Sequence, residues 1–264
     1  MLYIHESNIQ NKINSNYGGL VEELTAFYND EYIPMRNEMR RLLFMDGSLE
    51  TFEEAAAILN RYYDTALDFQ RHYRIDTRSK FLSTIYEELS VYLFRDHPLI
   101  TSGVMDVYNK GIYAGLRFVN ANDIAIITKD VDFCIGKRVD VVIDDTNHTH
   151  LILPVVCVEV KTYLDATMFG EVKSSSGAIR SATPNSKAYV LMGHKELADE
   201  HIIAARQEST LSEMFVLRRD KESPIDPMVL FDYWNEITDA LDSISDYADI
   251  QTPGRLLFPN NVAR

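Results

Sequence analysis

The sequence predicts an α/β protein in which a mixed central β-sheet is flanked by helices and preceded by a helical N-terminal region. Apolar, largely β-branched runs typical of strands recur along the second half of the chain. Between them lie segments with apolar residues at three- and four-residue steps, as in amphipathic helices. Residues 1–76 show only the helical pattern. We therefore predict a helical region over residues 1–76 and an α/β unit over residues 77–264, packed as one compact body.

The composition is typical of a globular protein, since 46% of the 264 residues are hydrophobic and 25% are charged. Its apolar stretches are shorter than a membrane span, and the first residues lack the basic and apolar parts of a signal peptide. We therefore expect a cytoplasmic protein without a membrane association. Cys134 and Cys157 each lie within a strand-like run, which predicts buried thiols in a reducing compartment.

The N-terminal half contains three predicted helices, over residues 19–28, 51–69 and 77–94. The third has an apolar stripe formed by Phe81, Leu82, Ile85, Leu89 and Tyr92. Glu87 lies nearly opposite that stripe and is expected to face solvent. Glu88 lies at the edge of the stripe, close to whatever the helix packs against.

The C-terminal half contains six predicted strands and two predicted helices. Gly136 and Lys137 are predicted to form a turn between two separate short strands. Helices are predicted over residues 165–180 and 226–247, followed by a tail. The predicted strands cover residues 124–127, 131–135, 139–143, 155–161, 187–193 and 214–217.

The run over residues 155–161 is apolar like a buried strand but ends with two charged residues. Alternate side chains of a strand point to opposite faces, so Glu159 and Lys161 share one face while the intervening valines face a core. Charged side chains are rarely buried unless they are paired or bind a metal. The strand end is therefore a candidate site; an exposed Glu–Lys pair on an edge strand is the alternative.

A second carboxylate is predicted to join this site from the preceding strand. The run over residues 139–143 is followed by a polar, turn-forming stretch that leads into the Glu159 strand, which indicates a hairpin. We expect this hairpin to bring Asp140 beside Glu159. Asp132 is the alternative carboxylate; Asp140 is preferred because its strand runs directly through the loop.

Two carboxylates with open oxygen atoms suit a hard cation, so Asp140 and Glu159 predict a site for Mg²⁺, with Mn²⁺ as a substitute. Lys161 beside them can orient or deprotonate a water molecule and stabilise charge that develops on a phosphate. The pattern therefore points to metal-assisted hydrolysis of a phosphate ester.

Asp140, followed about twenty positions later by Glu159-Val160-Lys161, resembles the bipartite signature of the PD-(D/E)XK nuclease superfamily, whose best-known members are type II restriction endonucleases. The resemblance implies that the Asp and the Glu bind Mg²⁺ and that the Lys activates or positions the attacking water. A proline often precedes the Asp in that family, and Val139 stands here instead.

The resemblance also implies a restriction-endonuclease-like core over roughly residues 80–195, with a helix, three strands, a helix and a strand. In that family a helix before the first core strand often lends a Glu to the metal site. Glu88 is the residue that fits this description, so the resemblance adds Glu88 to the predicted metal ligands.

The net charge of −14 argues against a non-specific coat for nucleic acids, which normally has a basic surface. A sequence-specific nuclease needs only local basic residues in a cleft. The candidates for contacts with DNA phosphates are Arg36, Arg40, Arg41, Arg180, Arg218 and Arg219.

We therefore predict a Mg²⁺-dependent endonuclease acting on double-stranded DNA, most consistent with a type II restriction enzyme. Resemblance to restriction enzymes implies two sites for two strands, in a homodimer or as half of a heterodimer. Two alternatives stay open. One is a repair or recombination nuclease on the same core, and the other is a non-enzymatic interaction protein, in which the three predicted catalytic side chains need not converge.

Overall fold

The N-terminal part of the chain is helical, as predicted. The computed structural model describes residues 3–120, 123–143, 147–208 and 210–244. A π-helical turn over Tyr28–Tyr32 joins the second helix to the third, so these two form one nearly continuous rod. The helices are α1 (Ile4–Asn14), α2 (Val21–Phe27), α3 (Ile33–Met39) and α4 (Leu49–His72).

The next helix, α5 (Ser83–Phe94), runs through the centre of the molecule. Every residue from Thr84 to Phe94 is buried, because α5 has helix α1 on one side and the sheet on another. The expectation that Glu87 faces solvent is therefore wrong: only 4% of its surface is exposed. A helix covered on all sides turns its polar positions towards other protein groups, which a stripe pattern alone cannot show.

A single hydrophobic core extends from the N-terminal helices to the sheet. It includes Ile9 of α1, Leu59 of α4, Leu89 of α5 and Val158 in the sheet. The regions predicted on either side of residue 76 therefore share their apolar interior in this structure.

The sheet has seven strands and is mixed, as predicted. Its order is β1-β4-β5-β2-β3, with β6 also pairing with β5 and β7 with β6. The pairs β5–β6 and β6–β7 are parallel, whereas β1–β4, β2–β3 and β4–β5 are antiparallel. The strands are β1 (Asp106–Tyr108), β2 (Ile112–Asn120), β3 (Asp123–Lys129), β4 (Phe133–Ile143), β5 (Asn147–Leu164), β6 (Lys187–Lys195) and β7 (Glu213–Val216).

The predicted turn at Gly136 is wrong, because β4 passes through this position as one long strand. The β4–β5 ladder shifts register here: Ile135 pairs with Val156, while Gly136 pairs with Pro154. A Cβ atom on Gly136 would lie 2.5 Å from the carbonyl oxygen of Leu153. The glycine therefore permits a close approach of two backbones at a β-bulge.

The described residues form four further α-helices: α6 (Pro98–Thr101), α7 (Ala166–Ala182), α8 (Asp199–Gln207) and α9 (Pro227–Asp242). Helices α7 and α9 occupy the two segments predicted to be helical, and the predicted tail lies outside the described residues. Cys134 and Cys157 are buried, free and directly opposite each other, as expected of core thiols. Among the described residues, no helix is both long and apolar enough to cross a membrane.

Candidate active site

The candidate site lies on β5, in the residues that follow Val158, where the pairing with β4 stops. The valines at positions 156, 158 and 160 are buried in the main core, as predicted. Glu159 and Lys161 share the opposite face, and their side chains retain 15% and 25% exposure. The Lys161 Nζ atom lies 3.0 Å from Oε2 of Glu159, so the predicted pairing of these two residues is present.

Asp132 supplies the second carboxylate of the site. It lies one residue before β4, whose ladder with β5 starts at the pair Phe133–Val158. Because that ladder stops short of Val160, the backbone N–H of Val160 donates instead to Oδ2 of Asp132, at 2.8 Å. The same oxygen accepts a hydrogen bond from Nζ of Lys161 at 3.0 Å. Asp132 is therefore fixed beside Glu159 and Lys161.

The structure does not bring Asp140 to this site. Asp140 pairs with His150, nine residues before Glu159 on β5, and at 3.3 Å per residue this is about 30 Å away along the strand. Its side chain is 88% exposed and lies 3.8 Å from Arg138. The prediction that Asp140 lies beside Glu159 is therefore wrong. Asp132, the alternative carboxylate, lies there instead.

The hairpin itself contains a signal that points to Asp132. Residues that face each other in a hairpin lie at nearly equal distances before and after its loop. The polar stretch predicted as the loop therefore already placed the partner of Glu159 well before Asp140. The sequence favours Asp140 because its strand runs directly through the loop, and the predicted turn at Gly136 conceals that the same strand extends back to Phe133, next to Asp132.

Glu87, rather than Glu88, is the acidic residue that α5 turns towards the site. The Glu87 carboxylate lies within 4.0 Å of the Lys80 ammonium, which in turn contacts Oδ1 of Asp132 at 3.1 Å. Burial raises the pKa of Glu87 to about 7, and the charge of Asp132 adds to this increase. Glu87 was predicted to be solvated, so this member of the cluster was missed.

Glu88 points the opposite way, into the N-terminal helices. Its Oε2 atom accepts hydrogen bonds from the backbone N–H groups of His5 and Glu6 at the start of α1, at 2.8 and 3.1 Å. Its Oε1 atom accepts from the hydroxyls of Tyr32 and Tyr92, at 2.8 and 2.6 Å. The carboxylate therefore anchors α1 to α5, and its predicted place among the metal ligands is corrected.

Burial and charge oppose each other within the cluster. Burial alone would raise the pKa of Asp132, but the charges of Lys161 and Lys80 outweigh burial and the pKa is lowered. Burial raises the pKa of Glu159, and the negative charge of Asp132 raises it further. The positive charge of Lys161 lowers this pKa, but the two raising effects prevail. Burial would lower the pKa of Lys161, yet the two carboxylates raise it, so the ammonium stays charged.

These residues fit a divalent cation that a substrate helps to bind. Across the described residues, no group of three or more His, Cys, Asp and Glu side chains is arranged to hold a metal ion by itself. Mg²⁺, however, is usually bound by one or two carboxylates together with substrate phosphates. Asp132 and Glu159 form such a pair, and a cation would offset the burial and the negative charge of Asp132 that together raise the pKa of Glu159.

The predicted arginine contacts separate into two groups. Arg218 is buried, stacks on the ring of Tyr63 at 4.2 Å and donates to Oδ1 of Asn60, so its predicted DNA contact is corrected to a structural role. Arg36 forms a 2.7 Å ion pair with Glu6. The other candidates retain exposed surface: Arg40, Arg41 and Arg219 are exposed, and Arg180 is partly exposed.

The fold indicates a class of protein. The mixed sheet with its flanking helices and its antiparallel β4–β5 hairpin is the arrangement of restriction endonucleases, which bind and cut DNA. Residues 80–252, more than half of the chain, match the family model of the Bpu10I restriction endonuclease, so the chain belongs to that family. The resemblance drawn from the sequence is confirmed.

A solved structure supports the same fold. The chain is similar to one described as the native BbvCI A2B2 tetramer, with a TM-score of 0.74 and 17% sequence identity. The match covers 94% of this chain and 100% of that chain, so it includes the N-terminal helices that precede the family match. No curated protein matches the chain.

Proposed function

We propose that this protein is a Mg²⁺-dependent, sequence-specific endonuclease of type II that hydrolyses phosphodiester bonds of double-stranded DNA. One observation supports this above the others: the ammonium group of Lys161 lies 3.0 Å from a carboxylate oxygen of both Asp132 and Glu159. Side chains separated by 29 positions thus form one charged cluster on the interior strand β5, within the part of the chain that matches the family.

Each side chain has a distinct part in the proposed reaction. Asp132 and Glu159 provide oxygen atoms for the cation, and Lys161 holds the attacking water in line with the scissile phosphate. Because its pKa is raised by the two carboxylates, Lys161 acts as a positive donor that stabilises charge developing on the phosphate. Glu87, with its pKa near 7, can accept a proton from the site near neutral pH.

A bound Mg²⁺ would polarise the phosphate and lower the pKa of a coordinated water. The protein supplies the remaining requirements by its rigid backbone: the N–H of Val160 fixes Asp132, and the buried valine face of β5 fixes Glu159 and Lys161. A fixed arrangement matters because misplacing reacting groups by about 1 Å can cost two orders of magnitude in rate.

We also propose that the protein acts as part of a multimer. Cleavage of both DNA strands takes two sites, which a homodimer or a heterodimer provides. The similarity to a chain from an A2B2 tetramer supports this proposal. Phosphate contacts are assigned to the exposed arginines, Arg40, Arg41 and Arg219, together with the partly exposed Arg180.

The decisive experiment uses a genomic DNA long enough to contain any short recognition sequence. The purified protein with Mg²⁺ is expected to give discrete fragments, and excess chelator should abolish them. Discrete fragments in excess chelator would exclude the metal mechanism, and a smear instead of bands would exclude sequence-specific cleavage. If the chain cuts only with a partner subunit, mixing with that subunit should restore the bands.

A further inference from the structure

A second lysine, Lys80, contacts the candidate metal site. Its Nζ atom lies 3.1 Å from Oδ1 of Asp132 and 4.0 Å from Oε1 of Glu87. Asp132 therefore has both oxygens engaged, with Oδ2 bound by Lys161 and Val160 and Oδ1 bound by Lys80. Oδ2 already accepts two hydrogen bonds, so a cation that uses Asp132 as a ligand must bind Oδ1, where the like charge of the Lys80 ammonium opposes it.

Of the two lysines, Lys80 is the one that can leave. The Lys161 side chain is 25% exposed and is held by two carboxylates, whereas the Lys80 side chain is 60% exposed. The exposed Lys80 ammonium can exchange its contact with Asp132 for contact with water, whereas the Lys161 ammonium has less access to solvent. Displacement of Lys80 frees Oδ1 of Asp132 and leaves the bonds from Val160 and Lys161 intact.

The backbone at Lys80 is held in an unusual conformation. Its φ angle is +58°, in the left-handed region that residues with a Cβ atom rarely adopt. The preceding carbonyl, on Ser79, accepts hydrogen bonds from Asn8 at 3.0 Å and from Lys12 at 2.9 Å. Helix α1 thus helps to hold the strained turn that directs Lys80 over Asp132.

We propose that Lys80 is an exchangeable cation of this site. In the metal-free protein its ammonium occupies Oδ1 of Asp132 and neutralises the buried acidic cluster. When a divalent metal takes that oxygen, the displaced ammonium turns to a phosphate oxygen of the DNA that the metal binds. Lys80 thereby couples metal binding to DNA binding. This inference rests on the proposed function, since it takes Asp132 as a metal ligand.

The first test measures Mn²⁺ binding to the DNA-free protein by titration calorimetry. Lys80→Gly removes the competing ammonium and should fold normally, because glycine readily adopts a positive φ. Its Mn²⁺ affinity should rise about tenfold, within the usual range of coupling between sites. Lys80→Arg retains a cation and should stay near the wild-type affinity.

Arg74→Gly is the matched control for Lys80→Gly. Arg74 is also an exposed cationic residue with a positive φ, of 52°, so the control reproduces both the change in charge and the change in backbone. Arg74→Gly should leave the Mn²⁺ affinity unchanged. Thermal melting should show that both variants are folded.

The second test measures binding of a fluorescent mixed-sequence duplex. With chelator, Lys80→Gly should bind as the wild type does, because Lys80 is then engaged with Asp132. With Ca²⁺, it should bind several-fold more weakly than the wild type.

The outcomes separate the inference from the proposed function. One outcome refutes only the role of Lys80: the wild type binds Mn²⁺, Asp132→Asn abolishes this binding, and Lys80→Gly binds Mn²⁺ no more tightly than the wild type. The proposed metal site would then remain supported. Equal weakening of DNA binding with and without Ca²⁺ overturns the exchange in the same way. If neither the wild type nor Lys80→Gly binds Mn²⁺, with or without DNA, the proposed metal mechanism itself fails.

Discussion

The ammonium group of Lys161 lies 3.0 Å from Oδ2 of Asp132, a residue 29 positions earlier in the chain. This contact exists because β4 and β5 form a hairpin. Phe133 and Val158 are the last pair of its ladder, and Asp132 and Glu159 are the next residues on the two strands. The aspartate also accepts the backbone N–H of Val160, so its position is fixed by the main chain of the strand that carries the other two residues.

Asp132→Asn should slow cleavage, whereas Asp140→Asn should not. Asn at position 132 removes a charge from the cluster, and loss of one such group typically reduces the rate about a hundredfold to a thousandfold. Asp140 is exposed and distant, so Asn there should leave the rate unchanged. Initial rates of DNA cleavage with Mg²⁺ measure both. If Asp140→Asn were inactive and Asp132→Asn active, Asp140 and not Asp132 would be the carboxylate of the site.

Lys161→Ala should abolish cleavage while the fold and DNA binding remain nearly intact. Lys161 is partly exposed at the site, so its truncation leaves little cavity, and its proposed work is on the transition state. Single-turnover cleavage and duplex binding should be measured on the same preparation. Val158→Asp is the contrasting variant, because an unpaired charge in the core typically costs about 3–5 kcal/mol and should unfold the protein. A wild-type cleavage rate for Lys161→Ala would refute the assignment.

Alanine at the neighbouring positions 87 and 88 should separate function from stability. Glu88→Ala leaves two backbone N–H groups and two tyrosine hydroxyls without their acceptor, at about 1–3 kcal/mol for each unsatisfied group. Glu87→Ala removes a carboxyl whose ionised form burial already disfavours, so its cost in stability should be small. Denaturant unfolding and cleavage rates should show Glu88→Ala unstable and Glu87→Ala stable but slow. The reverse pattern would contradict the orientation of α5.

Gly136→Ala should destabilise the protein, whereas Gly170→Ala should not. A Cβ atom at position 136 would overlap the carbonyl oxygen of Leu153, and crowding of this kind costs about 1–3 kcal/mol. At position 170, on helix α7, a Cβ atom meets no other group within 4 Å, and alanine should gain up to about 1 kcal/mol of helix propensity. Urea unfolding measures both. Equal stability of the two variants would argue against the bulge.

Stability should fall as the pH decreases below 6.5, in part because of His5. This ring is fully buried between Thr84 and Tyr62, and burial followed by the charge of Lys12 lowers its pKa to about 3. Between about pH 3 and 6.5 the unfolded chain therefore binds a proton that the folded protein does not. One such proton reduces stability by about 1.4 kcal/mol for each pH unit of acidification.

The contribution of His5 is isolated by comparison with His5→Gln. Urea unfolding between pH 5 and 7 should give a smaller loss of stability with acidification in this variant, although other groups titrate in both proteins. Parallel pH profiles would show that His5 does not titrate in this way.

Much of the fold follows from the local pattern of the sequence. The burial of Val156, Val158 and Val160 and the shared face of Glu159 and Lys161 both result from the period of two in a strand. These features need no knowledge of distant residues, because each is set by the direction of side chains along one element. The family resemblance depended on Glu159 and Lys161 together with Asp140, whose place the structure gives to Asp132.

The sequence by itself therefore determined the type of fold, the strand that carries Glu159 and Lys161, and the class of protein. Only the tertiary structure decided that Asp132 rather than Asp140 joins them and that Glu87 rather than Glu88 faces them. Both choices depend on contacts between elements. Whether Gly136 is a turn or a bulge depends on the backbone of β5 opposite it, and which side of α5 is polar depends on what covers each side. A local pattern cannot contain either, because the partner strand and the covering helices lie far away in the chain.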